Sequence, residues 1–336
     1  MTQGPLRNPV LIAAFEGWND AANAASDAVR FLARSFNAEE AHELEPQDYS
    51  DFQAARPHVE INNGVVKSIH WPSTTISLAA VPGGDRDLIL VQGIEPNLRW
   101  QQFCNEILAF CDVHECRTLI TFGALLGDAP HTRDLPITGT ASDPATIGRL
   151  GLQRSTYQGP TGIIGVLSDA ARTAGLVAVS LWVPVPHYVS SAPSPKATLA
   201  LLERCASVVT LPIDLRNLDI AARGWQSHVD SMVETDGDLT EYVHQLEARY
   251  DSNESASDHF DVAEVDDDMS LEADLDDFEA YALFGDDSDD FDENDFDEEA
   301  DDDDDVFDED QLPSGESLAQ DFERYLREHG GGETPS

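Results

Sequence analysis

The segment Glu16-Gly17-Trp18-Asn19-Asp20 brings two carboxylates, an amide and an indole ring into five consecutive residues. Such groups can bind a polar ligand, transfer a proton or stack on a flat ring. The segment follows the apolar run Val10 to Phe15 and leads into an Ala-rich stretch. This order predicts a strand, a binding loop and a helix. Asn19 or Asp20 could instead cap that helix, and the sequence leaves both roles open.

Three further polar segments follow predicted strands in the same way. They are Glu95 after residues 87–91, His131-Thr132-Arg133 after residues 118–122, and His187-Tyr188 after residues 176–183. Loops that leave the carboxyl ends of parallel strands share one edge of a sheet. If these strands are parallel, the four segments line one candidate site for a small molecule or a protein partner.

Each of these segments also has an explanation that involves no ligand. A carboxylate such as Glu95 is favourable at a helix N-terminus, where the helix dipole is positive. Trp18 could fill a subunit contact, and the loop 131–133 could hold a neighbouring aspartate through its imidazole or guanidinium group. The sequence does not decide between binding and these structural roles.

Signatures of catalysis and of metal binding are absent from the sequence. It has no Gly-x-Ser-x-Gly motif, no Walker loop and no Gly-x-Gly-x-x-Gly after the first predicted strand. The acidic run 286–290 lacks the Gly and the terminal Glu of a calcium loop, and the four cysteines lack ligand spacing. We therefore predict no catalytic residue, no metal and no cofactor.

The remaining pattern predicts an α/β fold with a three-layer α/β/α core over residues 1–215. Further extended segments are predicted at 59–69, 74–81 and 137–141, and helices at about 96–111, 163–174 and 196–209. Pro96 suits the first turn of one helix, and Thr161 suits the cap of another. Strands that alternate with helices favour a mostly parallel or mixed central sheet.

Residues 216–250 have a purely helical pattern. Their apolar side chains recur at spacings of three and four in two stripes, with a break at Asp236-Gly237. The stripes are Leu218, Ala222, Trp225, Val229, Met232 and Val233, then Leu239, Tyr242, Val243, Leu246 and Tyr250. This pattern predicts a helical hairpin appended to the core.

Negative charge is concentrated at the end of the chain. Residues 251–336 hold 36 acidic and 2 basic side chains, so they carry −34 of the total net charge of −46. This composition predicts a disordered linker over 251–313, and the capping pattern at Ser317 predicts a short amphipathic helix within 314–336. The charge argues against nucleic acid or an anionic membrane as partners and favours a basic protein.

The sequence also predicts a cytoplasmic location. Its N-terminus has no secretory signal pattern, and none of its apolar runs reaches the length of a membrane span. The cysteines form no disulfide framework, as expected for free thiols in a reducing compartment.

Five motifs together resemble the proteasome assembly chaperone 2 family, in its actinobacterial branch. They are Glu16 to Asp20, Gly93 with Glu95-Pro96, Pro130 to Arg133, Tyr157 with Gly159 to Gly162, and Pro186-His187-Tyr188 with Pro195-Lys196. The resemblance covers about residues 8–250, and the final predicted helix is similar to that branch as well.

This resemblance implies a core similar to purine nucleoside phosphorylases and nucleosidases, a homo-oligomer that is a trimer, and no established catalysis. Relatives that assist proteasome assembly contact the α ring through a C-terminal hydrophobic-Tyr-any-residue tail. The present chain departs from that pattern, because it ends Gly332 to Ser336 and its Arg324-Tyr325-Leu326 is internal.

Two functional hypotheses follow. The leading one is an oligomeric binding or chaperone-like protein that contacts proteasome subunits, another basic protein or a small molecule. The alternative is a nucleosidase or phosphorylase, in which Glu16 or Asp20 is the acid and Glu95 holds a ribose hydroxyl. In that enzyme His131 or Arg133 would stabilise developing charge.

Overall fold

The computed structural model describes residues 5–62, 65–154, 157–190 and 193–252. The predicted acidic linker and final helix therefore lie almost entirely outside the described residues. Strands are numbered along the chain as follows: β1 Val10–Glu16, β2 Glu39–Leu44, β3 His58–Asn62, β4 Val65–His70, β5 Thr74–Ala79, β6 Leu88–Ile94, β7 Thr118–Gly127, β8 Thr138–Ala141, β9 Gln153–Arg154 and β10 Val177–Pro186.

The described part of the chain has the following α-helices: α1 Ala24–Ser35, α2 Pro46–Tyr49, α3 Trp100–Val113, α4 Pro144–Leu150, α5 Ile163–Thr173, α6 Pro195–Val209, α7 Arg216–Val233 and α8 Gly237–Asp251. Short 3-10 turns follow β1 at Ala21–Asn23 and β10 at His187–Val189. Each described helix is too short or too polar to span a lipid bilayer.

One mixed sheet of eight strands forms the centre of the described fold, in the order β2-β5-β6-β1-β7-β10-β8-β9. The strands β6, β1, β7 and β10 are neighbours and run parallel. The strands β5 and β8 pair antiparallel with the outer members of this group. The expected mixed sheet is confirmed, and the four parallel strands end at one common edge.

Strand β1 shows why the sequence builds three layers. Its apolar run is continuous because both faces of the strand are covered by helices. Val10, Ile12 and Ala14 pack in a cluster with α1 and α6, whereas Leu11, Ala13 and Phe15 pack in a second cluster with α3 and α5. The predicted α/β/α architecture is therefore confirmed.

Three sequence-based details are wrong. Strand β7 continues to Gly127, because its residues through Gly127 pair with β10, so the predicted loop begins five residues later than expected. Helix α3 begins at Trp100 rather than near Pro96, after Arg99 in a left-handed conformation. Gly162, and not Thr161, precedes α5 as its cap residue. The elements β2, α2, α4 and β9 have no sequence-based prediction.

The predicted helical pair is present as α7 and α8. Trp225, Val229 and Val233 of α7 form a buried cluster with Leu239, Val243 and Leu246 of α8 and with Tyr188 and Val189 after β10. These positions are the two predicted stripes. The pair therefore packs on the residues that follow β10, at the carboxyl edge of the parallel strands.

Candidate functional site

The four polar segments predicted from the sequence all follow parallel strands at one edge of the sheet. Glu16 is the last residue of β1, and Glu95 comes directly after β6. His187 follows β10 directly, and His131 lies four residues beyond β7. Topology thus brings the segments to the same edge, but their side chains have different environments.

Glu95 and Asn19 are joined to the start of helix α5. The Asn19 Nδ2 donates to Glu95 Oε1 over 2.8 Å, and the backbone N–H of Ile163 donates to the same oxygen over 2.8 Å. The carboxylate therefore lies at the positive end of the helix dipole. Asn19 is fully buried.

Gly162 makes this arrangement possible. A Cβ atom at this position would lie 2.3 Å from Asn19 Oδ1 and 2.6 Å from Glu95 Oε1. Both distances are below van der Waals contact, so any side chain at 162 would displace the amide or the carboxylate. The close approach of Asn19 and Glu95 thus requires glycine at position 162 of the Gly159 to Gly162 motif.

Asp20 has a structural role at the start of helix α1. Its carboxylate accepts from the backbone N–H groups of Ala25 over 2.7 Å and Ser26 over 3.3 Å. Burial raises the pKa of Asp20 to about 6, and these hydrogen bonds oppose the shift. These hydrogen bonds cap the start of α1, which is one of the two roles that the sequence left open for Asp20. The 3-10 turn Ala21–Asn23 lies between Asp20 and the helix that it caps.

Glu16 belongs to an ion-paired group beside Asp20. Arg30 of α1 contacts both Glu16 and Asp27. Asp27 is buried, and this burial raises its pKa to about 7 despite the opposing charge of Arg30. The carboxylates behind the Glu16 to Asp20 loop are therefore held by one arginine and by helix α1.

Trp18 is the exposed member of the loop and lines a cleft of about 470 Å³. Its side chain is 61% exposed. Other walls of the cleft come from the loop before α5 and from the paired strands β8 and β10. The side chains of interest there are Tyr157, Thr161, Thr138, Thr140, Ser180 and Trp182.

His131 lies on the other side of the edge and is buried. Its Nδ1 is 2.7 Å from the Tyr188 hydroxyl, and its Nε2 is 3.0 Å from Asp230 Oδ1 on α7. Burial lowers the pKa of His131, while Asp230 opposes that shift. Lys196 donates to the His131 carbonyl and to Gln226 on α7, and burial lowers the pKa of Lys196 to about 8.

Thr132 and Arg133 bind helix α8. The Thr132 hydroxyl donates to Glu247, and Arg133 contacts Glu247 over 3.0 Å and Asp251 over 2.8 Å. The His187 ring packs edge-on against Tyr242 of α8, with ring centres 5.4 Å apart. His187 Nδ1 is 3.5 Å from Asp128, which is longer than an ordinary hydrogen bond.

The ten predicted site residues thus fall into two groups rather than around one cavity. Glu16, Trp18, Asn19, Asp20 and Glu95 surround the loop after β1 and the start of α5. His131, Thr132, Arg133, His187 and Tyr188 contact the helical pair α7–α8. Of the ten, Trp18 alone lines the cleft in the described part of the chain. A binding role for all ten stays a prediction.

Sequence reasoning missed several residues of the cleft. Thr138 and Thr140 lie on β8, opposite Trp182 and Ser180 of β10 in the antiparallel register. The alternation of Ser180 and Trp182 along a strand was a usable signal, because residues two apart share one face of a sheet. The pairing of β8 with β10 had no such signal.

The sequence of the chain matches a known protein family. The PAC2 family matches residues 14–233, and the chain belongs to this family. A PAC2 family protein from Streptomyces avermitilis has a solved structure that is 49% identical, with a TM-score of 0.65 and coverage of 70% of this chain and 99% of its own.

Two further solved structures are similar. A Mycobacterium tuberculosis proteasome-assembly chaperone homologue is 45% identical, with a TM-score of 0.66 and coverage of 70% of this chain and 99% of its own. A Pyrococcus furiosus archaeal proteasome activator shares the fold, with a TM-score of 0.54, 18% identity and coverage of 68% and 95%. No curated protein matches the chain. The expected likeness to nucleoside phosphorylases stays a prediction.

Proposed function

We propose that this chain is a chaperone-like binding protein that self-associates and contacts proteasome components. The observation that carries the proposal is membership of the PAC2 family, together with 45% identity to a protein described as a proteasome-assembly chaperone homologue.

The ribbon formed by β3 and β4 supports self-association. These strands pair only with each other among the described residues, and they form a sheet separate from the main one. In their register Val59 lies opposite Ile69, and Ile61 lies opposite Val66. All four side chains are more than half exposed. A two-stranded ribbon is marginally stable by itself, so an apolar face of this kind needs a partner surface.

A second copy of the chain is the partner that we propose for this face. The face carries four β-branched side chains and no charge, so two such faces could pack together without burying an ion. Two such faces packed on each other give a dimer, whereas the family resemblance implies a trimer, and the measured mass distinguishes the two sizes. We also propose a cytoplasmic location, since the four cysteines are free and buried.

Light scattering after size-exclusion chromatography tests the self-association. We expect the full chain to run as an oligomer and Ile69→Lys to shift it to a monomer. The matched control is Ile220→Lys, because Ile220 on α7 is also more than half exposed but lies outside the ribbon. A monomeric wild-type chain, or an oligomer that survives Ile69→Lys unchanged, would refute this part of the proposal.

Pull-down with the cognate proteasome α subunits tests the second part. We expect the full chain to retain them and a chain ending at Ser252 to retain them more weakly at low salt, because the residues removed, 253–336, hold 35 acidic and 2 basic side chains. Equal, salt-independent binding by both forms would exclude an electrostatic contribution of the acidic segment. Absence of the α subunits with both forms would remove the proteasome role.

A further inference from the structure

The cleft beside Trp18 has the properties of a small-molecule site. It has a volume of about 470 Å³, which lies within the range typical of ligand pockets. It lies beyond the carboxyl end of β1, beside the end of β7 and the middle of β10, and it extends to the start of α5. In open α/β sheets this edge is the usual position of bound ligands.

The described lining of the cleft is uncharged. Among the described residues that form it, there is no Asp, Glu, Lys, Arg or His. Six hydroxyl side chains supply its hydrogen-bonding groups, namely Thr138, Thr140, Tyr157, Thr161, Ser168 and Ser180. A charged ligand would lose its hydration here without gaining an ion pair. A neutral polar ligand would exchange its hydrogen bonds to water for hydrogen bonds to these hydroxyls.

Aromatic side chains from three separate segments line the same cleft. Trp18 and Tyr157 are 61% and 48% exposed, so a ligand that covered them would remove much apolar surface from water. Trp182 is fixed in orientation, because its Nε1 donates to Ser180 over 2.9 Å. Its ring lies directly on Gly123, where a Cβ atom would be 2.5 Å from the ring.

The paired strands β8 and β10 form one wall of the cleft and contribute hydroxyl groups to it. Thr138 lies opposite Trp182, and Thr140 lies opposite Ser180, so the four side chains share one face. The Ser180 hydroxyl is already bonded to Thr121 and Trp182. The hydroxyls of Thr138 and Thr140 have no hydrogen-bond partner among the described residues, and both threonines line the cleft.

Glu95 adds a preference against anions. The cleft residues Gly17 and Gly162 carry no side chain, and Glu95 lies directly behind them. A Cβ atom at Gly17 would be 4.0 Å from Glu95 Oε2, and one at Gly162 would be 2.6 Å from Oε1. The Glu95 carboxylate behind these glycines therefore disfavours an anionic ligand in the cleft.

From this lining we propose that the cleft binds an uncharged, flat aromatic or heteroaromatic compound, with its ring against the Trp18, Tyr157 and Trp182 side chains and its polar groups on the threonine hydroxyls. This inference goes beyond the proposed function and does not depend on proteasome binding. It assigns a ligand class to the site and no reaction.

Calorimetric titration of the full chain with three probes of the same ring size tests the proposal. The probes are 2-naphthamide, 2-naphthamidine and 2-naphthoate, which are neutral, cationic and anionic. We expect saturable binding of the amide, weaker binding of the amidine, and binding of the carboxylate that is at least fivefold weaker than that of the amide. Undetectable binding of the amide, or equal or tighter binding of the amidine or the carboxylate, would overturn the proposal.

Two exposed tryptophans provide matched variants. Trp18→Ala should weaken amide binding at least threefold, because it removes an aromatic wall of the cleft. Trp71→Ala should leave binding unchanged, because Trp71 is also about half exposed but lies after β4, outside the cleft. An unchanged affinity in Trp18→Ala, or an equal loss in both variants, would contradict the assignment of the site.

Discussion

The carboxyl edge of the sheet has two halves that use similar polar residues for different purposes. Next to α5, Glu95 and Asn19 secure the start of that helix, and a cleft that is also lined by β8 and β10 stays open to solvent. Beside β7 and β10, His131 and Arg133 contact the helices α7 and α8. A polar loop at a strand end is therefore a candidate site only where no later element of the chain covers it.

The largest difference between the halves should appear when the anchor of the helical pair is removed. Trp225 is fully buried in the cluster of α7 and α8. Trp225→Ala should lower the free energy of unfolding by about 3–5 kcal/mol, the usual cost of removing a large buried aromatic side chain. Urea unfolding followed by circular dichroism measures this change.

Trp225→Phe is the matched control for that variant. The indole Nε1 of Trp225 is buried without a hydrogen-bond partner in the described residues, so replacing it removes no hydrogen bond. We expect a loss smaller than that of Trp225→Ala. If both variants unfold like the wild-type chain, the helical pair does not stabilise this half of the edge.

A smaller effect is expected on the cleft half from Gly162→Ala. The added Cβ atom would clash with Asn19 and Glu95, and overpacking of this kind costs about 1–3 kcal/mol. Gly148→Ala on α4 is the control, because nothing lies within 4 Å of its added Cβ atom and alanine favours a helix. Thermal unfolding should show a lower melting temperature for Gly162→Ala and a higher one for Gly148→Ala. An unchanged melting temperature in Gly162→Ala would contradict the close approach of Glu95 to Gly162.

The contributions of the two halves to stability should change with pH in opposite directions. Burial raises the pKa of Asp27 from 3.8 to about 7, so the folded chain retains a proton that the unfolded chain loses, and stability falls as pH rises through this range. Burial lowers the pKa of His131 below 6.5, so stability falls as pH drops through and below that value.

Urea unfolding between pH 4.5 and pH 7.5 separates the two contributions. Asp27→Asn should reduce the loss of stability toward neutral pH by on the order of 1 kcal/mol, since relaxation and water penetration reduce the effect of burial in real proteins. His131→Gln should reduce the loss toward acid pH. Parallel pH profiles for the wild-type chain and both variants would show that neither group titrates as its burial requires.

Much of the fold follows from the sequence, whereas the division of the edge does not. The continuous apolar run of β1 and the two stripes of the helical pair are local patterns, and they predict the layers and the helices correctly. The contacts of His131 with Asp230 and of Arg133 with Asp251 join residues about one hundred positions apart. No local pattern shows that α7 and α8 return to the loops after β7 and β10.

The cleft could not be predicted from the sequence either, because it also depends on contacts between distant segments. Its polar wall depends on the antiparallel pairing of β8 with β10, and Thr138 and Thr140 gain their meaning only from lying beside Trp182 and Ser180. The glycine at 162 could be recognised as a turn from the sequence. Its close contact with Glu95 could not, because Glu95 comes from a distant strand.

Amide hydrogen exchange of the full chain, with and without 2-naphthamide, tests the division of the edge most directly. We expect the compound to slow exchange in residues 16–21 and 157–165, around the cleft, and to leave residues 131–133 and 187–189 unchanged. Slower exchange in the second pair of segments, or no change in the first, would contradict the proposal that one half of the edge binds a ligand while the other holds the helical pair.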